Sequence, residues 1–284
     1  FYEKNLLSSY NKKYELIIIG HFFLSDIENY SYQRPKTINF KKFKSPIIFF
    51  LNKEYVNLTE KIKWINDVRP NIVLTHSKKF YLNFKNKFNN SEVIYMPFAA
   101  NEKIFGTTSN LKKKYDLSFS GVLQNQNNLS DQSDMRLNIM KNIFFNFLDI
   151  PFSKRKKFKS LNIFWNTIPR KPISRKIARI TGKYNFLSLK SYAQIQKETK
   201  IYLNSLSPFG IISPRYYENF LSRCLIFSEK SDYLNTFAND KLIVTFNSIE
   251  EFNEKLFYYL ENTNERNAIT NKAYNYGKIN HTWS

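Results

Sequence analysis

Gly210-Ile-Ile-Ser-Pro-Arg-Tyr-Tyr-Glu-Asn-Phe-Leu-Ser-Arg-Cys-Leu-Ile-Phe-Ser228 reads as a turn, a short helix and a strand. Ser213 suits an N-cap, and Pro214 falls at the first helical position, where a missing N–H costs nothing. Tyr217, Phe220, Leu221 and Cys224 recur at helical spacing and form one apolar face. Cys224 to Phe227 is a short apolar run suited to a buried parallel strand. Arg215 and Glu218 stand three apart and share a helical face beside that core. A cation and a carboxylate near a helix N-terminus, next to strand ends, suit a phosphorylated ligand that also carries hydroxyls. The same two residues also read as a surface i,i+3 ion pair worth about 0.2–0.5 kcal/mol.

Outward from this stretch the chain repeats the same rhythm. Towards the N-terminus, strands are expected at 14–20, 47–51, 72–75 and 93–96, with helices at 58–66 and from Lys78. Residues 97–114 are mostly polar and read as a hinge. The pattern then restarts with a strand at 115–121 ending in glycine, a helix at 135–147, a strand at 161–165, a helix at 191–198 and a strand at 201–205. A last strand is expected at 242–246. Ser248-Ile-Glu-Glu251 forms a capping box for the helix behind it. A final helix starts near Asn262. Strands spaced by helices in this way make parallel sheets. The expectation is an α/β fold with two Rossmann-like domains, residues 1–108 and 109–284, whose parallel sheets face across a cleft. Ligands in such sheets sit beyond the carboxyl ends of the strands. Gly20-His21, Leu51 to Glu54, Thr75-His76, Ser120-Gly121 and Gly210–Glu218 all fall at such ends.

The chain has 284 residues, of which 42% are apolar and 17% aromatic, enough for sizeable cores and against wholesale disorder. Forty-four Lys and Arg against 23 Asp and Glu give a formal charge of +21. That balance favours anionic partners: phosphorylated small molecules, an acidic membrane surface or nucleic acid. Residues 151–190 alone carry twelve basic and no acidic side chains. They read as a solvated basic surface or as a contact with anionic membrane or glycan. One cysteine excludes an internal disulfide and a Cys-rich zinc site. No stretch reaches the length of about 18 apolar residues that a membrane span needs. The first residue is Phe1, and no signal-peptide pattern follows it. HExxH and DxD motifs are absent, and Asp131 with Asp134 reads as a helix cap. No metal requirement is expected.

Four stretches carry a resemblance. Tyr115 to Gly121 with Arg136 beyond it, Gly210 to Ser228, Phe246 to Phe252, and Tyr274 to Trp283 resemble the C-terminal domain of GT-B fold glycosyltransferases. They resemble in particular the CgeB-type, glycosyltransferase family 1-like group. The first half is similar to the later strands of that family's N-terminal domain, without its early glycine loop, so that domain is expected to be truncated or reduced. The resemblance implies an enzyme that moves a sugar from a nucleotide-sugar donor, a UDP- or GDP-sugar, to a hydroxyl on a glycan or lipid-linked glycan. It implies no tightly bound cofactor, a role in cell-envelope polysaccharide biosynthesis, and a cytoplasmic setting peripheral to the inner face of the membrane. The carboxylate matching Glu218 holds the donor ribose in such enzymes, and Arg215 would lie near the diphosphate. Two positions depart from the family pattern: Arg223 stands where glycine is usual, and Gly210 where a second glutamate is usual. Retention versus inversion therefore stays open.

The donor-binding candidates are Gly121, Arg136, Ser213, Arg215 and Glu218. Gly121 either permits a tight strand-to-loop turn or leaves room for a diphosphate. Arg136 either touches phosphate or is solvated. The catalytic candidates are His21, Glu54 and His76, each after an apolar strand and each able to act as a base near neutral pH, or to be a satisfied structural group. Two other classes of function stay open. Lysines interleaved with aromatics, as in 78–85, fit a non-catalytic nucleic-acid surface. A degenerate GT-B fold that binds a partner is the third reading.

Overall fold

A computed structural model describes residues 14–20, 23–24, 39–54, 56–108, 111–122, 135–144, 158–168, 187–205 and 211–282. Two compact units divide the chain, the first comprising Phe1–Pro97 with Pro208–Ile211 and the second Phe98–Ser207 with Ile212–Ser284.

In the first unit, strands β1 (Ile17–Ile19), β2 (Ile47–Leu51), β3 (Ile72–Thr75) and β4 (Glu92–Tyr95) pair in chain order, all parallel. Along β2 the odd residues Ile47, Phe49 and Leu51 are buried and the even ones half-buried, as a pleat with period two requires. Helices α1 (Leu58–Val68) and α2 (Lys78–Phe84) supply Ile65, Trp64, Phe80 and Phe84 to the core built on Phe49, Leu51, Val73 and Val93. Asn57 and Arg69, both left-handed, bracket α1. Lys61 is wholly buried, and its ammonium donates to the carbonyls of Asn52 (2.8 Å) and Lys53 (2.7 Å). A buried cation survives here because it satisfies carbonyls freed by the turn after β2.

The second unit is a sheet of β5 (Tyr115–Val122), β6 (Ile163–Ile168), β7 (Thr199–Asn204), β8 (Leu225–Glu229) and β9 (Val244–Phe246). The described strands are parallel, in the order β6-β5-β7-β8-β9. From β5 the chain moves to β6 on one side and then crosses to β7 on the other. The order therefore reverses between β5 and β7, which makes their carboxyl ends a topological switch point.

One core fills the face carrying Leu117, Phe119, Ile201, Leu203 and Phe227, against helices α4 (Met135–Phe144) and α8 (Ile249–Glu261). The other core gathers helices α3 (Glu102–Phe105), α5 (Leu189–Lys197), α6 (Pro214–Leu221), α7 (Asn235–Asn239) and α9 (Thr263–Asn280). The strongly amphipathic α6 buries Tyr216, Tyr217, Phe220 and Leu221. Gly277 lets α9 approach it: a Cβ there would stand 3.0 Å from the Phe220 Cβ. Ser248 accepts from the Glu251 amide at 3.2 Å, as the capping box predicts, while the Glu251 carboxylate reaches the Asn247 amide.

Three expectations change. Residues 98–105, read as part of a hinge, join the second unit: Phe105 is buried, and Ala100 bridges to Thr282 in parallel pairing. Cys224 is not on the helical face, because α6 ends at Leu221 and Arg223 turns left-handed with φ 50°. Lys113, in the basic run of the supposed hinge, is a clamp. Its ammonium donates to the carbonyls of Lys197 (2.8 Å), Ser222 (3.2 Å) and Arg223 (2.9 Å), tying the ends of α5 and α6 together. Burial brings its pKa down to about 8, so it remains mostly charged at neutral pH.

Arg223 occupies a left-handed position that favours glycine. Its side chain points out of the turn, with the guanidinium carbon 3.7 Å from the Tyr274 ring centroid and Nη1 bonded to Asn271. Stacking of that kind contributes about 0.5–1 kcal/mol, and a left-handed residue with a Cβ costs roughly 1–2 kcal/mol. Arg223→Gly is therefore expected to unfold within about 1 kcal/mol of the parent. Arg223→Ala keeps the backbone cost, loses the stack, and should be the less stable of the two. Urea denaturation of both variants checks this, and equal midpoints would contradict it.

Candidate functional site

The switch point of the second unit brings together three of the five donor-site candidates. Arg215 and Glu218 project from the first turns of α6, and Gly121 lies at the carboxyl end of β5. A methyl group on Gly121 would stand 3.4 Å from Arg215 Nη1 and 3.2 Å from Phe119 Cζ. The Phe119 ring is the tighter of the two, and the guanidinium lies against the strand end at ordinary contact distance.

Arg215 and Glu218 make no direct ion pair. A residue from another helix stands between them: Arg215 Nε donates to the Tyr192 hydroxyl at 3.1 Å, and that hydroxyl donates to Glu218 Oε2 at 3.2 Å. The reading of the two as a simple surface pair is thereby corrected. All three side chains are half-buried. Beneath them Tyr202 of β7 is wholly buried, with its pKa pushed up to about 12 by burial. Burial also raises Tyr192, which stays protonated. Glu218 is raised as well. Burial is the main cause, opposed by Arg215, by the Tyr192 hydroxyl and by Gln196. The carboxylate is thus a partly desolvated acceptor beside a permanent cation.

Ser213 is the N-cap of α6, with extended backbone (φ −70°, ψ 157°), but its hydroxyl makes no cap bond to the helix. Arg136 lies in the first turn of α4, and its side chain falls outside the described residues. The basic run 151–190 and Asp131 with Asp134 fall largely or wholly outside them too.

The first unit supplies a separate group. Glu54 and His76 follow neighbouring strands β2 and β3, and both are buried. Glu54 Oε1 accepts from the Thr75 hydroxyl, which itself accepts from the Ser77 amide at 3.0 Å. His76 Nδ1 lies 2.6 Å from the Met96 carbonyl. A carbonyl only accepts, so Nδ1 carries a proton and Nε2 is the nitrogen that would take up another. His21 falls outside the described residues.

His281 has a structural place. Its ring stacks on Tyr217 with centroids 4.1 Å apart, Nδ1 meets the Phe98 carbonyl at 3.2 Å, and burial lowers its pKa. The residues that the sequence did not single out are Tyr192, Tyr202 and Gln196. Tyr192 pairs with partners 23 and 26 residues away, across two helices, and no local spacing reports that. Among the described residues no group of three His, Cys, Asp or Glu is disposed to hold a metal ion. Nor is any helix there long and apolar enough to cross a membrane.

Comparison with known proteins bears on this arrangement. Residues 171–284 match the family described as glycosyl transferase-like. No curated protein matches the sequence. Among solved structures, Anabaena HepE in complex with UDP and glucose superposes with a TM-score of 0.59 at 11% identity, over 98% of this chain and 77% of that one. Sucrose-phosphate synthase from Thermosynechococcus elongatus gives 0.54 at 8% identity, over 98% and 72%. The pneumococcal O-GlcNAc transferase GtfA in complex with UDP and GlcNAc gives 0.56 at 11%, over 99% and 58%. The fold is GT-B, built from two parallel Rossmann-like sheets.

Burial of Glu218 has a consequence for stability. Its folded pKa lies above its unfolded one, so its contribution is fully present below about pH 4.5 and is lost as pH rises through the folded value. Glu218→Gln is therefore expected to raise Tm at pH 7, with the gain vanishing near pH 4. Calorimetric scans of both proteins across pH 4–8 check it. A variant less stable than the parent at pH 7 would contradict the assignment.

Proposed function

We propose that this chain is a glycosyltransferase that moves a sugar from a nucleotide-sugar donor to a hydroxyl of a glycan or lipid-linked glycan in the cytoplasm. The observation that carries the reading is the half-buried Arg215–Tyr192–Glu218 group beside Gly121 at the β5/β7 switch point. In open parallel sheets this is where nucleotides bind. The GT-B fold and the match of residues 171–284 support it.

In this reading Glu218 accepts hydrogen bonds from ribose hydroxyls, a match of two O–H donors to a carboxylate. Arg215 and the N-terminus of α6 face the diphosphate, and Gly121 leaves the backbone open to it. As the sugar–phosphate bond breaks, negative charge collects on the leaving diphosphate. A guanidinium already fixed in place stabilises that charge without reorganising. The acceptor hydroxyl loses a proton in the transfer, and Glu54, His76 and His21 are the proposed bases on the first unit.

Thermal-shift titration with UDP, GDP, CDP, ADP and dTDP, on the parent and on Glu218→Ala, tests this. A ligand at a hundred times its Kd stabilises by about 2.7 kcal/mol, roughly 5–10 °C for a domain of this size. One nucleotide should raise Tm selectively, and Glu218→Ala should abolish the rise. A folded protein indifferent to all five would contradict the reading. Stabilisation by a single-stranded oligonucleotide instead would favour the nucleic-acid alternative.

A further inference from the structure

We propose that Tyr192 is a positioning residue of the donor site, a hydroxyl spacer that holds Arg215 and Glu218 apart so that both stay available to ligand. Its part in donor binding rests on the transferase reading, whereas the spacing itself is a property of the side chains.

Arg215 and Glu218 lie one turn apart on α6, a separation at which oppositely charged side chains close on each other. A closed pair would neutralise the cation meant for phosphate and occupy the acceptor meant for hydroxyls. The Tyr192 oxygen sits between them, 3.1 Å from Arg215 Nε and 3.2 Å from Glu218 Oε2. The polarity of this chain is fixed. Arginine only donates, so the tyrosine oxygen accepts on that side, and its own proton is directed at the carboxylate.

The hydroxyl is delivered from a separate element. Tyr192 projects from α5, and its ring meets Phe105 of α3 edge-on, with centroids 6.2 Å apart. The Lys113 ammonium binds carbonyls at the ends of both α5 and α6, which fixes one helix against the other. The groups facing Glu218 are therefore Arg215 on its own helix, Tyr192 and Gln196 from α5, and Tyr202 from β7. Of these, Tyr192 is the one whose hydroxyl bridges both charged residues.

The test is Tyr192→Phe, which keeps the ring and removes only the oxygen. Carboxyl-13C NMR of glutamate-labelled protein, with the Glu218 signal assigned through Glu218→Gln, follows the Glu218 titration without any ligand. The Glu218 midpoint is expected to fall by about one pH unit in Tyr192→Phe, since the two side chains then close into a direct pair and an opposite charge in contact favours the carboxylate. Affinity for the nucleoside diphosphate selected by thermal shift should fall roughly tenfold at pH 7, because the closed pair occupies both groups, with its acid limb displaced downward by the same interval. An unmoved or raised midpoint overturns the proposal, even if Tm drops, because a purely structural tyrosine would change stability alone and a mere hydrogen-bond donor would leave the carboxylate less favoured. A lowered midpoint in a protein that binds no nucleotide keeps the spacer and removes the transferase reading. Unchanged affinity in a protein that does bind nucleotide removes the role in donor binding.

Discussion

Much of the second unit depends on keeping a cation and a carboxylate half-buried within one helical turn without letting them cancel. Arg215 and Glu218 sit where α6 begins, over a sheet whose strand order reverses beneath them. Neither group is cheap to desolvate, and each is held by hydrogen bonds rather than by the other. The Tyr192 hydroxyl provides that separation, and the guanidinium lies against Gly121 at the end of β5. A solvated surface pair would need none of this surrounding structure.

The scaffold around the site can be understood as the means of holding α5 and α6 still. Lys113 satisfies three carbonyls at the helix ends, which would otherwise be left without donors. Gly277 draws α9 against Phe220. His281, stacked on Tyr217 and bonded to the Phe98 carbonyl, pins the end of α9 to the segment that enters the unit. The polar ends of these elements are thus spent on fixing helix positions, and the two apolar cores on either side of the sheet supply the bulk of the burial.

Much of the architecture was legible in the sequence because period-two and helical patterns are local. The strands Ile47–Leu51 and Ile72–Thr75 fall where the apolar runs place them, and Pro214 opens α6 as its missing N–H implies. Arg215 and Glu218 were legible as a pair by spacing. Their relation was not, since it is set by Tyr192 from a helix more than twenty residues earlier. The run Lys112 to Lys114 shows the same limit. Three adjacent lysines look alike in sequence, and only packing decides that the middle one is half-buried on carbonyls. Arg223 differs again: glycine is the residue expected at a left-handed helix end, and the arginine is tolerated because Tyr274 receives its guanidinium.

The most direct measurement is a crystal structure of the chain soaked with UDP or whichever nucleoside diphosphate binds it best. The account predicts ribose hydroxyls within hydrogen-bond distance of the Glu218 carboxylate. It also predicts diphosphate oxygens against Arg215 and the Gly121 backbone, with Tyr192 still between the two side chains. A nucleotide seated on another surface, or a direct Arg215–Glu218 pair with the ligand bound elsewhere, would contradict it.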